Sequence, residues 1–263
     1  MRDDLLPRRA IPTFRHHPAP GHWLRTATTS PLVAFSTREG GVSDPPYASL
    51  NLGLHTGDSE PAVHENRRRL LAAVEISQCA FLHQVHGAEV RAPAGPGDAG
   101  VGDVLVTDSQ HLALAISTAD CLPVVLWNEE RTSLAAVHAG WRGLVAGAIE
   151  AAGEWLLARG KAASLRAVIG PGIRSCCFQV GPGVADRFPA AARVQHPGGS
   201  YVDLAAAARE RIASLGCLPE HIEDLAMCTA CDAASFYSHR RDRGRTGRHW
   251  AVARLAPKGS APA

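Results

Sequence analysis

The chain has 263 residues, with 27 lysines and arginines against 25 acids and a formal net charge of +2. That balance is too mild to point to nucleic acid or a membrane surface as partner. Its 46% hydrophobic and 20% charged residues suit an ordinary globular protein with a substantial core, and no apolar run approaches the roughly 20 residues of a membrane span.

"MRDDLLPRRAIPTFRHHPAPGHW" carries acids, arginines and prolines where a secretory signal has an apolar stretch, so a cytoplasmic location is expected. Residues 1–30 show no periodicity and read as an extended N-terminal arm. "LVAFS" then opens a strand, followed by a long loop rich in Gly, Pro, Ser and Asn; loops of this length are usually functional. "EPAVHENRRRLLAAVEI" reads as a helix with Val63, Leu70, Leu71 and Val74 on its apolar side. Five strands are expected next: "AFLHQVHG", "DVLVT", "LALAIST", "LPVVLW" and "SLAAVHAG". Residues 142–158 read as one helix, with Val145, Ile149, Ala152 and Leu156 on a stripe. Strands at "RAVIG" and "CFQVG", a helix at "VDLAAAARERIASLG", and strands at "IEDLAMC" and "HWAVARLA" complete the series. The tail, 257–263, reads as disordered. Strands that arrive in runs as well as alternating with helices favour a mixed sheet. With neither an internal repeat nor a dividing linker, one layered α/β domain over 31–256 is expected.

Cys121 and His138 stand at the edges of two apolar runs, at strand ends where rigid backbone can hold reactive groups. The plain alternative is a buried thiol and a turn histidine. A third residue, His86, closes the expected strand in "LHQVHGAEV". Two imidazoles and a thiolate suit zinc, with copper the lesser alternative, and three protein ligands leave a coordination position open as in catalytic sites. Asp120 is expected to point away from Cys121 by strand alternation, either orienting a ligand or making a structural hydrogen bond. Arg38 in the Gly-rich loop and Arg142 at a helix start are candidate phosphate holders; for Arg142 the alternative is a surface salt bridge. Arg240, Arg241, Arg245 and Arg248 read as a solvated or structural basic patch, and His83 is left outside the site. Seven cysteines, an odd number, read as thiols or ligands in a reducing compartment. Cys176–Cys177 and the C-x-x-C of Cys228 and Cys231 are expected to be packing thiols, since a second C-x-x-C for a four-cysteine zinc site is absent.

Seven strings in order, "FSTREGGVS", "SLNLGLHTGD", "LHQVHG", "TADCLPVVL", "VHAGWRGL", "IGPGIRSCCFQVG" and "SHRRDRGRTGR", resemble the motifs of the YfiH/YlmD-like laccase-domain family over about residues 32–255. The resemblance implies a layered α/β fold related to toxin deamidases, with His86, Cys121 and His138 as a zinc-binding catalytic trio. It further implies purine nucleoside phosphorylase activity, with adenosine deaminase and methylthioadenosine phosphorylase side activities. Gly172, Gln179 and Arg243 depart from the family pattern and put any role of positions 172 and 179 in doubt. On this reading Arg38 and Arg142 hold phosphate and Asn51 bonds the sugar or base. The expected partners are purine nucleosides and phosphate, with no nucleic acid or membrane, in a monomer or weak homodimer. Copper-dependent phenol oxidation is the first rival, against which the 13 histidines contain no His-x-His pair. The second is a peptidoglycan-editing hydrolase with Cys121 as nucleophile. A non-catalytic zinc-stabilised binding domain is the third, and weakest.

Overall fold

The long apolar runs form strands buried on both faces, and this burial sets the architecture. A computed structural model describes residues 14–16, 23–26, 31–160 and 165–255. Its strands are β1 (Phe14–His16), β2 (Trp23–Thr26), β3 (Leu32–Ser36), β4 (Cys79–His83), β5 (Val90–Arg91), β6 (Gly97–Val101), β7 (Val104–Thr107) and β8 (Ala113–Thr118). After these come β9 (Leu122–Asn128), β10 (Leu134–Ala139), β11 (Leu165–Ile169), β12 (Arg193–His196), β13 (Gly199–Val202), β14 (Ile222–Asp224) and β15 (His249–Arg254). The helices are α1 (Glu60–Ala73), α2 (Trp141–Ala146), α3 (Ala148–Leu157), α4 (Pro182–Ala185) and α5 (Leu204–Ser214).

One sheet runs β1-β2-β3-β15-β8-β4-β6 and a second runs β14-β11-β9-β10-β7-β5, with β12 and β13 a separate hairpin. Both large sheets are mixed: β4 lies parallel to β8 and β6, β5 to β7 and β11 to β14, while the other pairs are antiparallel. Strand alternation sorts the core. Leu122, Val124 and Leu126 of β9 and Ala135, Val137 and Ala139 of β10 pack against Ile149, Ala152 and Leu156 of α3 and Ala208 and Ile212 of α5. The intervening Val125, Trp127, Leu134 and Ala136 face Phe35, Leu114, Ile116 and Ala251 of the first sheet. The outer face of that sheet, through Ala34, Ala113, Trp250 and Val252, is covered by Leu70 and Val74 at the end of α1. The order is therefore helix, sheet, sheet, helices, which is the expected layered α/β class with a mixed sheet. Strands covered on both sides need apolar residues at every position, as "LPVVLW" and "LAAV" supply.

Several local expectations change. Within residues 1–30, expected as an extended arm, β1 and β2 pair with each other and β2 with β3; the rest of that stretch and the tail 257–263 lie outside the described residues. The helix expected over 142–158 is two helices, broken where Gly147 takes φ 89°, a left-handed conformation that glycine adopts without steric cost. The stretch "CFQVG" is a turn, with only an isolated bridge from Gln179 to Tyr201. The strand expected to reach His86 ends at His83.

Candidate metal centre

The antiparallel register of β9 and β10 pairs Leu122 with Ala139 and Pro123 with His138. One step further places Cys121 opposite Gly140. A Cβ at Gly140 would lie 2.7 Å from the Cys121 sulfur and 3.4 Å from a His86 ring carbon, so this position requires glycine for close approach. On the other side of β10, Val137 pairs with Val104 of β7, which sets Asp103 beside His138. The His138 backbone N–H donates to the Asp103 carbonyl at 2.8 Å, and its Nδ1 lies 2.7 Å from Asp103 Oδ1.

Asp103 also builds the third corner. Its carboxylate, 0% exposed, accepts the backbone N–H of His86 at 2.9 Å on Oδ1, and those of Val85 at 3.1 Å and Gly87 at 2.6 Å on Oδ2. His86 has φ 63°, in the left-handed region that a side chain disfavours, and three successive amides converging on one carboxylate hold it there. His86, Cys121 and His138 each offer a ligand atom, all within 4.8 Å of one another. The two imidazole rings stand 4.8 Å apart at 68°.

Charge follows from this geometry. Burial pushes the Cys121 thiol up, but the charge and hydrogen bonds of His138 and His86 outweigh it and bring it down to about 6. Burial pushes His138 down, yet the Cys121 thiolate and the Asp103 carboxylate raise it to about 9. Burial works against the Asp103 carboxylate too, and the bonds from His138 and the Gly87 and Val85 amides still hold it below its usual range. A thiolate and two imidazoles, one of them fixed through Nδ1 by a carboxylate so that Nε2 is left for coordination, match the donor chemistry of zinc. No fourth ligand joins the trio among the described residues.

The remaining expected residues divide. Asp120 is not on a strand: it takes φ 86° and does not orient the trio's histidines. Its carboxylate accepts the Thr229 hydroxyl at 2.7 Å and the Arg240 backbone N–H at 2.6 Å. Asn51 is buried and spent inside its loop: its amide donates to Gly53, Thr56 and Asp58 and accepts from the Gly53 and Arg248 amides, which leaves nothing for a sugar or base. Arg38 gives Nε to Ala48 and Nη1 to Ala233 carbonyls and lies over the Tyr237 ring. Arg142 is exposed and stacked on Trp141. His83 pairs with Asp98, outside the trio, as expected. Besides Asp103, two features were not anticipated. Arg248, expected to be patch, is depressed by burial and feels the charges of Cys121 and Asp120. The vicinal and C-x-x-C cysteines also meet, with all four sulfurs within 4.8 Å; the partner of the C-x-x-C is the vicinal Cys176–Cys177 and not a second C-x-x-C.

A family model described as "Multi-copper polyphenol oxidoreductase laccase" matches residues 32–256. The chain belongs to this laccase-domain family. Purine nucleoside phosphorylase YfiH of Shigella flexneri is 42% identical over 221 residues, covering 81% of this chain and 89% of that protein. Purine nucleoside phosphorylase YlmD of Geobacillus stearothermophilus is 35% identical, covering 86% and 92%. The crystal structure of Bacillus licheniformis hypothetical protein YfiH superposes with a TM-score of 0.86 at 32% identity, over 92% of this chain and 98% of that one. That of YlmD from Geobacillus stearothermophilus gives 0.85 at 31%, over 94% and 100%. The YfiH/YlmD resemblance and the mixed α/β fold are thus as expected from the motifs.

Proposed function

We propose that this laccase-domain chain is a zinc-dependent purine nucleoside phosphorylase acting on adenosine, inosine and methylthioadenosine, with adenosine deamination as a side activity. The observation that carries the reading is the three-donor centre of His86, Cys121 and His138, which no fourth protein ligand joins among the described residues. In phosphorolysis a phosphate oxygen bonds to C1′ of the sugar while the C1′–N9 bond breaks and its electron pair leaves with the base. The anion needs a cationic cradle, for which the candidates are Arg248, which feels the charge of Cys121, together with Arg142 at the start of α2 and Arg38. Zinc held by His86, Cys121 and His138 would supply Lewis acidity. Asp103 keeps the His138 proton on Nδ1, and Gly140 leaves room for the Cys121 sulfur. The many histidine clusters of a multi-copper oxidase are not met here: among the described residues only one ligand group contains histidine. No described helix is long and apolar enough to cross a membrane, and the seven free cysteines fit a reducing cytoplasm.

Incubating the purified protein with adenosine, with and without phosphate, tests the proposal. Adenine and ribose 1-phosphate should form only with phosphate, and any inosine should form without it. Absence of adenine under every metal condition overturns the reading.

A second reading is favoured by one observation. Without metal, Cys121, His138 and Asp103 form a thiolate–imidazolium pair oriented by a carboxylate, the arrangement of a cysteine hydrolase. Such an enzyme, acting on peptidoglycan precursors, keeps its activity after chelation and loses it to iodoacetamide, whereas the phosphorylase is silenced by chelation and restored by zinc.

A further inference from the structure

Four sulfurs from two loops distant in sequence meet beside the wall of the trio. The Cys176 sulfur lies 3.5 Å from that of Cys231 and 3.6 Å from that of Cys228, and the Cys177 sulfur lies 3.3 Å from that of Cys231. Four sulfurs placed about 2.3 Å from one tetrahedral zinc are roughly 3.8 Å apart, so this spacing surrounds an ion with only small shifts. A disulfide brings two sulfurs to about 2.05 Å and leaves two others unexplained; all four cysteines are free thiols. Cys176 and Cys231 are exposed, which gives an ion a path in.

The surroundings fit a negative centre. The backbone N–H groups of Cys231 and Arg174 favour the thiolate form of Cys228, and the sulfurs of Cys228 and Cys231 both face the Cys176–Cys177 pair. Three guanidinium groups grip the same loops: Arg240 donates to the Cys177 and Gln179 carbonyls, Arg174 to that of Met227 and Arg241 to that of Thr229. Four thiolates on one divalent cation make a doubly negative centre; Arg240 brings positive charge to it, while Arg174 and Arg241 are paired with Asp224 and Asp242 and serve to hold the loops.

We propose that Cys176, Cys177, Cys228 and Cys231 bind a zinc ion through four thiolates, as a structural site separate from the His86, Cys121 and His138 centre. Binding releases the four thiol protons to water and leaves zinc in its divalent state. Four protein ligands close the coordination sphere, which is the signature of a structural ion. What it fastens is the backing of Cys121. Thr229, next to Cys228, donates its hydroxyl to Asp120, while Arg240, clasped to the Cys177 loop, donates its amide to the other oxygen of the same carboxylate. The ion thereby ties both loops to the residue that precedes the catalytic thiol.

Elemental analysis of the full chain, purified with zinc, tests this site independently of the reaction. Wild type should carry two zinc ions per chain, and His138→Ala and Cys231→Ser one each. No zinc in His138→Ala, as much zinc in Cys231→Ser as in wild type, or a 176–228 disulfide found by mass spectrometry in freshly purified protein overturns the proposal. If Cys231→Ser does not fold, cobalt-loaded His138→Ala decides. Strong sulfur-to-cobalt charge transfer with tetrahedral d–d bands supports four thiolates, and a spectrum without them refutes the site.

Discussion

Replacing Asp103 by asparagine keeps the side chain's shape and removes one acceptor oxygen, and the hydrogen bonds dictate the cost. If the amide NH2 takes the Oδ1 place, it faces the His86 amide and His138 Nδ1, which lie at 2.9 and 2.7 Å. It then donates to Nδ1 and drives the imidazole proton to Nε2, the nitrogen needed for the metal. If it takes the Oδ2 place, it faces the Val85 and Gly87 amides at 3.1 and 2.6 Å, and the turn carrying His86 loses its hold. The first orientation leaves one donor, the His86 amide, facing a donor in a buried site and the second leaves two, at about 1–3 kcal/mol for each unsatisfied group. We expect Asp103→Asn to lose about 2–5 kcal/mol of stability and on the order of 10–100-fold in zinc affinity. Urea unfolding measures the first and competition against a chromophoric chelator the second. Wild-type zinc affinity in a folded Asp103→Asn protein would refute the idea that this carboxylate assembles the centre.

Other outcomes follow from the same contacts. Gly140→Ala puts a methyl 2.7 Å from the Cys121 sulfur; it should cost about 1–3 kcal/mol by overpacking and weaken zinc binding, and undiminished zinc in the chelator competition would show that the thiol is not held against Gly140. Arg248→Ala should raise the phosphate KM by roughly tenfold or more, the worth of one charge-assisted hydrogen bond, and Arg142→Ala by less, both largely sparing deamination; equal losses in the two reactions count against an anion cradle. Burial raises the Glu223 carboxyl from 4.5 to about 7, and its Oε2 has no hydrogen-bond partner. The folded state therefore holds a proton that the unfolded chain releases, so the stability this group contributes is present below about pH 4.5 and lost as pH rises through 7. Glu223→Gln should accordingly stabilise by about 1–3 kcal/mol at pH 8, the partial exposure of the side chain included, and by much less at pH 5; equal gains in Tm at both would contradict the raised carboxyl.

The strands were legible because sheets covered on both faces demand unbroken apolar runs, and "LPVVLW", "LAAV" and "DVLVT" meet that demand with little ambiguity. What sequence reading missed lay where backbone geometry departs from regular periodicity. Gly147 in left-handed conformation splits a stripe that otherwise reads as one helix. His86, also left-handed, sits three residues beyond the end of its strand and still converges.

Asp103 and Asp120 show the reason most directly. Adjacency to Cys121 recommended Asp120, yet its positive φ turns the carboxylate toward Thr229 and Arg240. Asp103 lies 35 residues from His138 (138 − 103), and "GVGDVLVT" offers no sign that its aspartate is anything but a turn residue. The link exists only because β7 pairs antiparallel with β10 in a register that sets Val104 against Val137. A slip of one residue would turn the whole strand over and send Asp103 away from the imidazole. The centre is therefore specified twice: by three ligands whose types are visible in the chain, and by the apolar contacts of Val104, Val106, Val137 and Ala139 with α3, which lock the register that brings the fourth residue to them.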